Sequence, residues 1–162
     1  MAGMDYFTTI KKNMTLEAIK DFLINRKVKV SLKSRQGDTA ESYLELFFET
    51  KDKENFQMEI GYIPDLEEEV DAFRMLQFVV PVLEITPNYP KYLDSILHFM
   101  NSELITPGFV CDPQAGLVYF RYVMPISKDE SKVDLNQLVE ILQLMFFQIH
   151  NYAPRIRTAV SE

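Results

Sequence analysis

The stretch Leu117-Val-Tyr-Phe-Arg-Tyr-Val-Met124 constrains this chain more than any other. Strand side chains point alternately to the two faces of a sheet, and here both sets are apolar, with Arg121 the single charge. A strand apolar on both faces belongs under cover on both sides. The segment before it, Asp112-Pro-Gln-Ala-Gly116, is a turn: proline fixes φ and glycine supplies positive φ. The two-sided strand is therefore the second limb of a hairpin, and Phe109-Val110-Cys111 is the first. The last helix raises the same demand. From about Lys132 to Asn151, residues Leu135, Leu138, Leu142, Met145 and Ile149 recur three and four apart, and Val139 and Phe146 widen the stripe. Ile141, Leu144 and Phe147 lie on its other sides. A helix apolar nearly all round is usually buried all round.

The remaining elements read as follows. Leu16, Ile19 and Leu23, with Phe22 alongside, mark a first helix for which Thr15 is the expected N-cap. Val28, Val30 and Leu32 alternate with Lys27, Lys29 and Lys33, a strand with one apolar and one basic face, broken at Gln36-Gly37-Asp38. Tyr43–Glu49 and Phe56–Tyr62 form a hairpin about the polar turn 51–55, the second strand alternating cleanly. Residues 64–71 are an acidic connector. Met75–Ile85 is a further strand, in which Pro81 favours an edge or a bulge because it cannot donate to a ladder. Thr86–Pro90 opens a second helix with the stripe Tyr89, Leu93, Ile96, Leu97 and Met100, ending near Asn101. Grouped strands with single helices between them predict an α+β fold: an antiparallel sheet of about five strands with three helices, in the order α-β-β-β-α-β-β-α. The strand at Val28–Leu32 is additional to that order. No repeat or linker divides the chain, so residues 1–162 read as one domain.

Three helices cover a five-stranded sheet only in part. The excess apolar surface is best hidden by a second subunit or a bound peptide; the other arrangement splits the helices across both faces. Ile141, Leu144, Phe147, Tyr119 and Arg121 are accordingly the expected partner or dimer interface.

Charge and motif content narrow the function classes. The net charge of −7 argues against nucleic acid as the main partner, since phosphate binding needs clustered Lys and Arg. The basic stripe Lys27, Lys29, Lys33 and Arg35 reads better as an edge strand guarded by lysine. One cysteine, Cys111, allows no internal disulfide and suits a reducing compartment. No signal peptide and no run of about 18 apolar residues is visible, so the cytoplasm is the plain expectation and no membrane partner is expected. His98, His150 and Cys111 stand in no metal-ligand spacing, and His150 falls at the expected end of the last helix, where a cation suits the dipole. The carboxylates Asp65, Glu67, Glu68, Glu69 and Asp71 lack a calcium-loop pattern. No nucleophile elbow, phosphate loop or dinucleotide fingerprint occurs. No catalytic residue, cofactor or metal is expected. The sharpest enzyme reading is a Cys111–histidine pair; as a residue inside an apolar strand, Cys111 reads better as a small buried hydrophobe.

Leu97-His-Phe-Met-Asn101, Pro107-Gly-Phe-Val-Cys-Asp112 and Gly116-Leu-Val-Tyr-Phe-Arg121 together resemble the YbjN-like family, described as bacterial sensory-transduction regulators. The shared features would be Met100-Asn101 at a helix end, Asp112 at a strand end and the aromatic–arginine pair Phe120-Arg121. The element order is similar to the type III secretion chaperone-like fold. The resemblance implies homodimers that bind extended segments of other proteins, and it brings no catalytic residues. Physically, Asn101 would cap its helix in a left-handed conformation, Asp112 would form an Asx-turn, and Arg121 would pair with a carboxylate or lie over a ring. Two readings follow. One is a non-enzymatic, dimeric protein-binding module, regulatory or chaperone-like, whose acidic surroundings steer a basic partner. The alternative is a small-ligand binder or enzyme using a sheet–helix pocket formed by Cys111, His98 and Arg121.

Overall fold

Burial alternates along the central strands as the sequence predicts, and that alternation assigns each side chain to a face. The computed structural model describes residues 6–35, 41–64 and 69–161, without the side chains of Tyr6 and Phe7. In β3 (Asn55–Tyr62), Phe56, Met58 and Ile60 are buried. In β2 (Ser42–Glu49) the matching residues are Leu44 and Leu46, with Phe48 half-buried beside them. In β4 (Phe73–Glu84) they are Leu76, Phe78 and Val80, and in β6 (Leu117–Ser127) Val118, Phe120, Met124 and Ile126. The register carries this set across the sheet: Leu46 faces Met58, Ile60 faces Phe78, and Leu76 faces Met124.

Two further strands complete the sheet, β1 (Lys29–Ser34) and β5 (Phe109–Asp112). The spatial order is β1-β2-β3-β4-β6-β5, and every neighbouring pair is antiparallel. The sheet has six strands, not five, in an α+β chain of order α-β-β-β-β-α-β-β-α. The added strand is the basic one. Val30 and Leu32 pair with Leu46 and Leu44, so its alternating apolar set is enough to dock it, and it lies at the sheet edge where the lysines place it. Pro81 sits at a bulge between β4 and β6, and β3 pairs with β4 only as far as Val79. The missing proline amide therefore falls beyond the β3 ladder, as the proline rule requires.

The three helices pack on one face of this sheet. In α1 (Tyr6–Ile24), Leu16, Ile19 and Leu23 enter the core, and the Lys12 ammonium lies 5.5 Å from the centre of the Tyr62 ring. Leu93, Leu97 and Met100 of α2 (Tyr92–Glu103) enter the same cluster. In α3 (Leu135–Ser161), Phe146 lies 4.0 Å from Phe48 and Tyr152 lies 6.4 Å from Phe109, ring centre to ring centre. Helices split across both faces, the second arrangement the sequence allowed, are thus not what forms among the described residues.

Several helix ends differ from expectation. α1 begins at Tyr6, so Thr15 is not a cap; it is buried mid-helix and its hydroxyl donates to the Lys11 carbonyl at 3.1 Å. The helix closes instead in a Schellman motif. Lys27 has φ of 64°, Val28 N donates to Leu23 O, and Lys27 N donates to Ile24 O. α3 starts at Leu135, after a short 3-10 turn at Glu130–Lys132, with Asp134 accepting from the amides of Asn136 and Gln137. It then runs past Asn151 and through Pro154 to Ser161. His150 is therefore mid-helix, 4.0 Å from the Asp52 carboxylate, and not at a helix end. Buried Ala153 and Ile156, with the ion pair between Arg157 and Glu54, hold the extension despite the bond lost at proline. The expected turn at residues 36–38 and the acidic positions Asp65, Glu67 and Glu68 lie outside the described residues.

Candidate functional site

With all three helices on one side, no described helix covers the other face of the sheet, and its residues divide by strand. On β1, β2 and β3 it is mainly polar, with Phe47 of β2 an exposed apolar exception. Lys33 bonds Glu45 at 2.7 Å, and Arg35 bonds Glu59 at 3.0 Å while lying 5.0 Å over the Tyr43 ring. Glu45 is only 6% exposed, shielded by these neighbours in the ladder. Two residues of the basic stripe, Lys33 and Arg35, are thus neutralised by carboxylates of β2 and β3. On β4, β6 and β5 the face is apolar: Met75, Val79, Tyr119, Val123 and Val110 are half-buried, and Pro81 and Pro125 are exposed. Register sets them side by side, Val79 opposite Arg121, Gln77 opposite Val123 and Val110 opposite Tyr119. Arg121 does not pair with a carboxylate. Its Nε donates to Gln77 Oε1 at 2.7 Å.

The expected interface residues separate into two groups on opposite sides of the molecule. Tyr119 and Arg121 lie on the open sheet face. Ile141, Leu144 and Phe147 belong to α3 on the covered face; Ile141 and Leu144 are half-buried, Ile141 packs against the core, and Phe147 is 63% exposed. One contiguous interface cannot include both groups. Phe99 on α2, 62% exposed, and Ile105 are further apolar side chains of the helix side left in solvent.

The motif residues around β5 turn out to be a clamp. The Asn101 carbonyl oxygen accepts from the amides of Gly108 (3.2 Å) and Phe109 (2.9 Å), and its amide donates to the Phe109 carbonyl at 2.8 Å. It does not cap α2 in a left-handed conformation; Leu104 ends the helix with φ of −74° and ψ of 143°. From the other side Gln148, 3% exposed on α3, accepts from Ile105 N (3.1 Å) and Thr106 N (3.2 Å) and donates to the carbonyl and hydroxyl of Thr106. Gly108 completes the clamp, since its carbonyl accepts from Arg121 N at 2.8 Å. A Cβ built there would sit 2.0 Å from the Arg121 carbonyl oxygen. Asp112 forms the expected Asx-turn, accepting from Gln114 N (3.0 Å) and Ala115 N (3.1 Å), and Gly116 has φ of 67°. Sequence reasoning missed Gln148. Its signal was a polar residue set inside the apolar stripe, three positions after Met145.

Cys111 faces the helix side of β5, opposite Val118. Burial raises its thiol above the ordinary range; a hydrogen bond with Tyr89 pulls the other way, and the Asp94 carboxylate adds to the rise. Tyr89 in turn donates to Asp94 at 3.5 Å. His98 is exposed and is not among the groups acting on the thiol, and Arg121 is on the other face. The three side chains of the pocket reading are not brought together. One cleft of about 380 Å³ lies elsewhere, lined by Phe73, Met124, Ile126, Lys132, Val133 and Gln137 among others, and a narrow one of about 20 Å³ lies between α1 and Tyr62. Among the described residues no three His, Cys, Asp or Glu side chains are grouped to hold a metal ion, and no helix is long and apolar enough to cross a membrane. No protein-family model, curated protein or solved structure matches the chain.

Proposed function

We propose that this chain is a non-enzymatic protein-binding module, regulatory or chaperone-like, that works as a dimer. The observation that supports this reading is the apolar half of the open sheet face. Val79, Tyr119, Val123 and Val110 present apolar surface around Arg121 and Gln77 that none of the described helices covers. Apolar patches of more than a few hundred Å² on a folded protein mark interaction sites. The side chains on that face are aliphatic, aromatic and hydrogen-bonded polar groups, which suit burial against another protein more than chemistry on a small substrate. The motif similarity to the YbjN-like family points the same way. In that reading Asn101, Gly108, Asp112 and Gly116 are scaffold residues that set β5 beside β6 and so complete the face.

The thiol chemistry separates this reading from the enzyme alternative. A nucleophilic cysteine needs a neighbour that lowers its pKa or takes its proton; here burial, with Asp94, outweighs the lowering hydrogen bond with Tyr89. The test is purification of the tagged chain from its native host with the stoichiometry of whatever co-elutes. A stoichiometric protein, a second copy of the chain or another protein, released by Tyr119→Glu is the expected result. A chain that elutes alone, together with fast saturable labelling of Cys111 blocked by a small ligand, would overturn the proposal.

A further inference from the structure

The open sheet face has two properties that together select its occupant. The first is charge. The chain carries −7 overall, yet this face is nearly balanced. Its basic groups are Lys29, Lys33, Arg35 and Arg121, and its acidic groups are Glu45, Glu49, Glu59, Glu84 and Asp112. Four of these nine are already joined in the pairs Lys33–Glu45 and Arg35–Glu59. The surplus negative charge therefore lies on the rest of the molecule. A strongly basic partner would find its complement there and not on this face, whereas a second copy meets four basic groups against five acidic ones, close to balance. The second property is size. At roughly 3.3 Å per residue and about 4.8 Å between strands, the six strands span a footprint on the order of 800 Å². A standard stable interface takes about the same area, roughly 800 Å², from each partner.

We infer that the open face of the sheet is the dimer interface, and that two copies pack sheet on sheet with their helices outermost. The inference deepens the dimeric reading above and rests on it. Two sheets of this kind stack about 10 Å apart with their strands inclined by about 30°. The arrangement covers the second apolar face of β6, which none of the described helices covers. Val79, Tyr119 and Val123 form its dry centre. Arg121 stands among them with its Nε on Gln77 Oε1; an unpaired buried charge is costly, so its guanidinium must meet an acidic group of the second copy. The paired charges of β1, β2 and β3 lie toward the rim. The interface is isologous, so the same patch meets itself across a two-fold axis.

The test is the mass of the purified full chain in solution, by light scattering over a wide concentration range. The wild type is expected at twice 18.9 kDa. Val123→Glu is expected to raise the dimer dissociation constant by about a hundredfold or more, as burying an unpaired carboxylate at an interface centre does. Arg121→Glu, at an exposed position whose substitution leaves the core intact, is the second variant and should act the same way with an unchanged circular dichroism spectrum. Leu144→Glu, on the helix side, should leave the mass at the dimer value. A wild type of 18.9 kDa at every concentration overturns the inference. A dimer that survives both sheet variants and is split by Leu144→Glu overturns the choice of face while leaving the dimeric reading standing. An apolar peptide or another protein occupying the face would appear as a monomer that gains mass only with that partner, and would likewise overturn it.

Discussion

Replacing Gly108 by alanine adds one carbon where the chain has no room for it. The new Cβ would lie 2.0 Å from the carbonyl oxygen of Arg121, 3.0 Å from its carbonyl carbon and 3.4 Å from its nitrogen. All three are backbone atoms of β6, so no side chain can swing aside. Restoring an ordinary contact requires the two segments to part by more than an ångström. That movement breaks the 2.8 Å bond from Arg121 N to Gly108 O and loosens the bond from Gly108 N to Asn101. Overpacking typically costs about 1–3 kcal/mol and a lost hydrogen bond about 1 kcal/mol, so the loss should be about 2–4 kcal/mol. At roughly 2–4 °C per kcal/mol for a chain of this size, the melting temperature should fall by about 5–15 °C. Two other glycines calibrate the measurement. Gly61→Ala places its Cβ 3.4 Å from the Tyr43 Cβ, an ordinary contact, and should be neutral or slightly stabilising. Gly116→Ala has space but φ of 67°, and should cost about 1 kcal/mol. Thermal unfolding followed by circular dichroism gives the order. A Gly108→Ala chain that melts with the Gly61→Ala chain would refute the claim that backbone contact at this point is tight.

Three further outcomes are expected. Gln148→Leu keeps the side-chain volume but removes the partner of Ile105 N, Thr106 N and Thr106 O; it should cost about 2–3 kcal/mol in a denaturant titration with an unchanged slope. Lys27→Gly should stabilise the chain by about 1 kcal/mol, read as a higher unfolding midpoint, because only glycine adopts φ of 64° without Cβ crowding. Cys111 should react with a thiol reagent more slowly in the folded chain than in denaturant at mildly alkaline pH. Reaction needs the thiolate, whose formation burial and Asp94 both oppose, so the pH profile of labelling should lie above that of a free thiol and move down in Asp94→Asn.

Much of the fold was legible where local chemistry decides it. The alternation in Phe56–Tyr62, the stripe from Leu138 to Ile149, the bulge at Pro81 and the Asp112–Gly116 turn all appear where their residue types place them. The helix ends were less legible because distant contacts set them. Phe7, Ile10 and Met14 have helical spacing, but Ile10 and Met14 are exposed, so that stripe marks no core; and Pro154 reads as a stop until Ile156 is seen to be buried and Arg157 to reach Glu54 across about a hundred residues of sequence. The candidate surface was half legible. The period of two puts Tyr119 and Arg121 on one face of β6. Which face the helices would cover is fixed by pairings such as Phe146 with Phe48, and no local pattern carries that information.

The connector at 104–108 has no regular structure, yet α2, α3 and β6 all hold it by hydrogen bonds. It is therefore a poor site for splicing in a tag, a linker or a circularly permuted terminus, although its irregular backbone would suggest otherwise. The turn at 50–54 closes its backbone by its own hydrogen bonds, and only the side chains of Asp52 and Glu54 reach α3, so it is the better point at which to open or lengthen the chain provided Glu54 keeps its place.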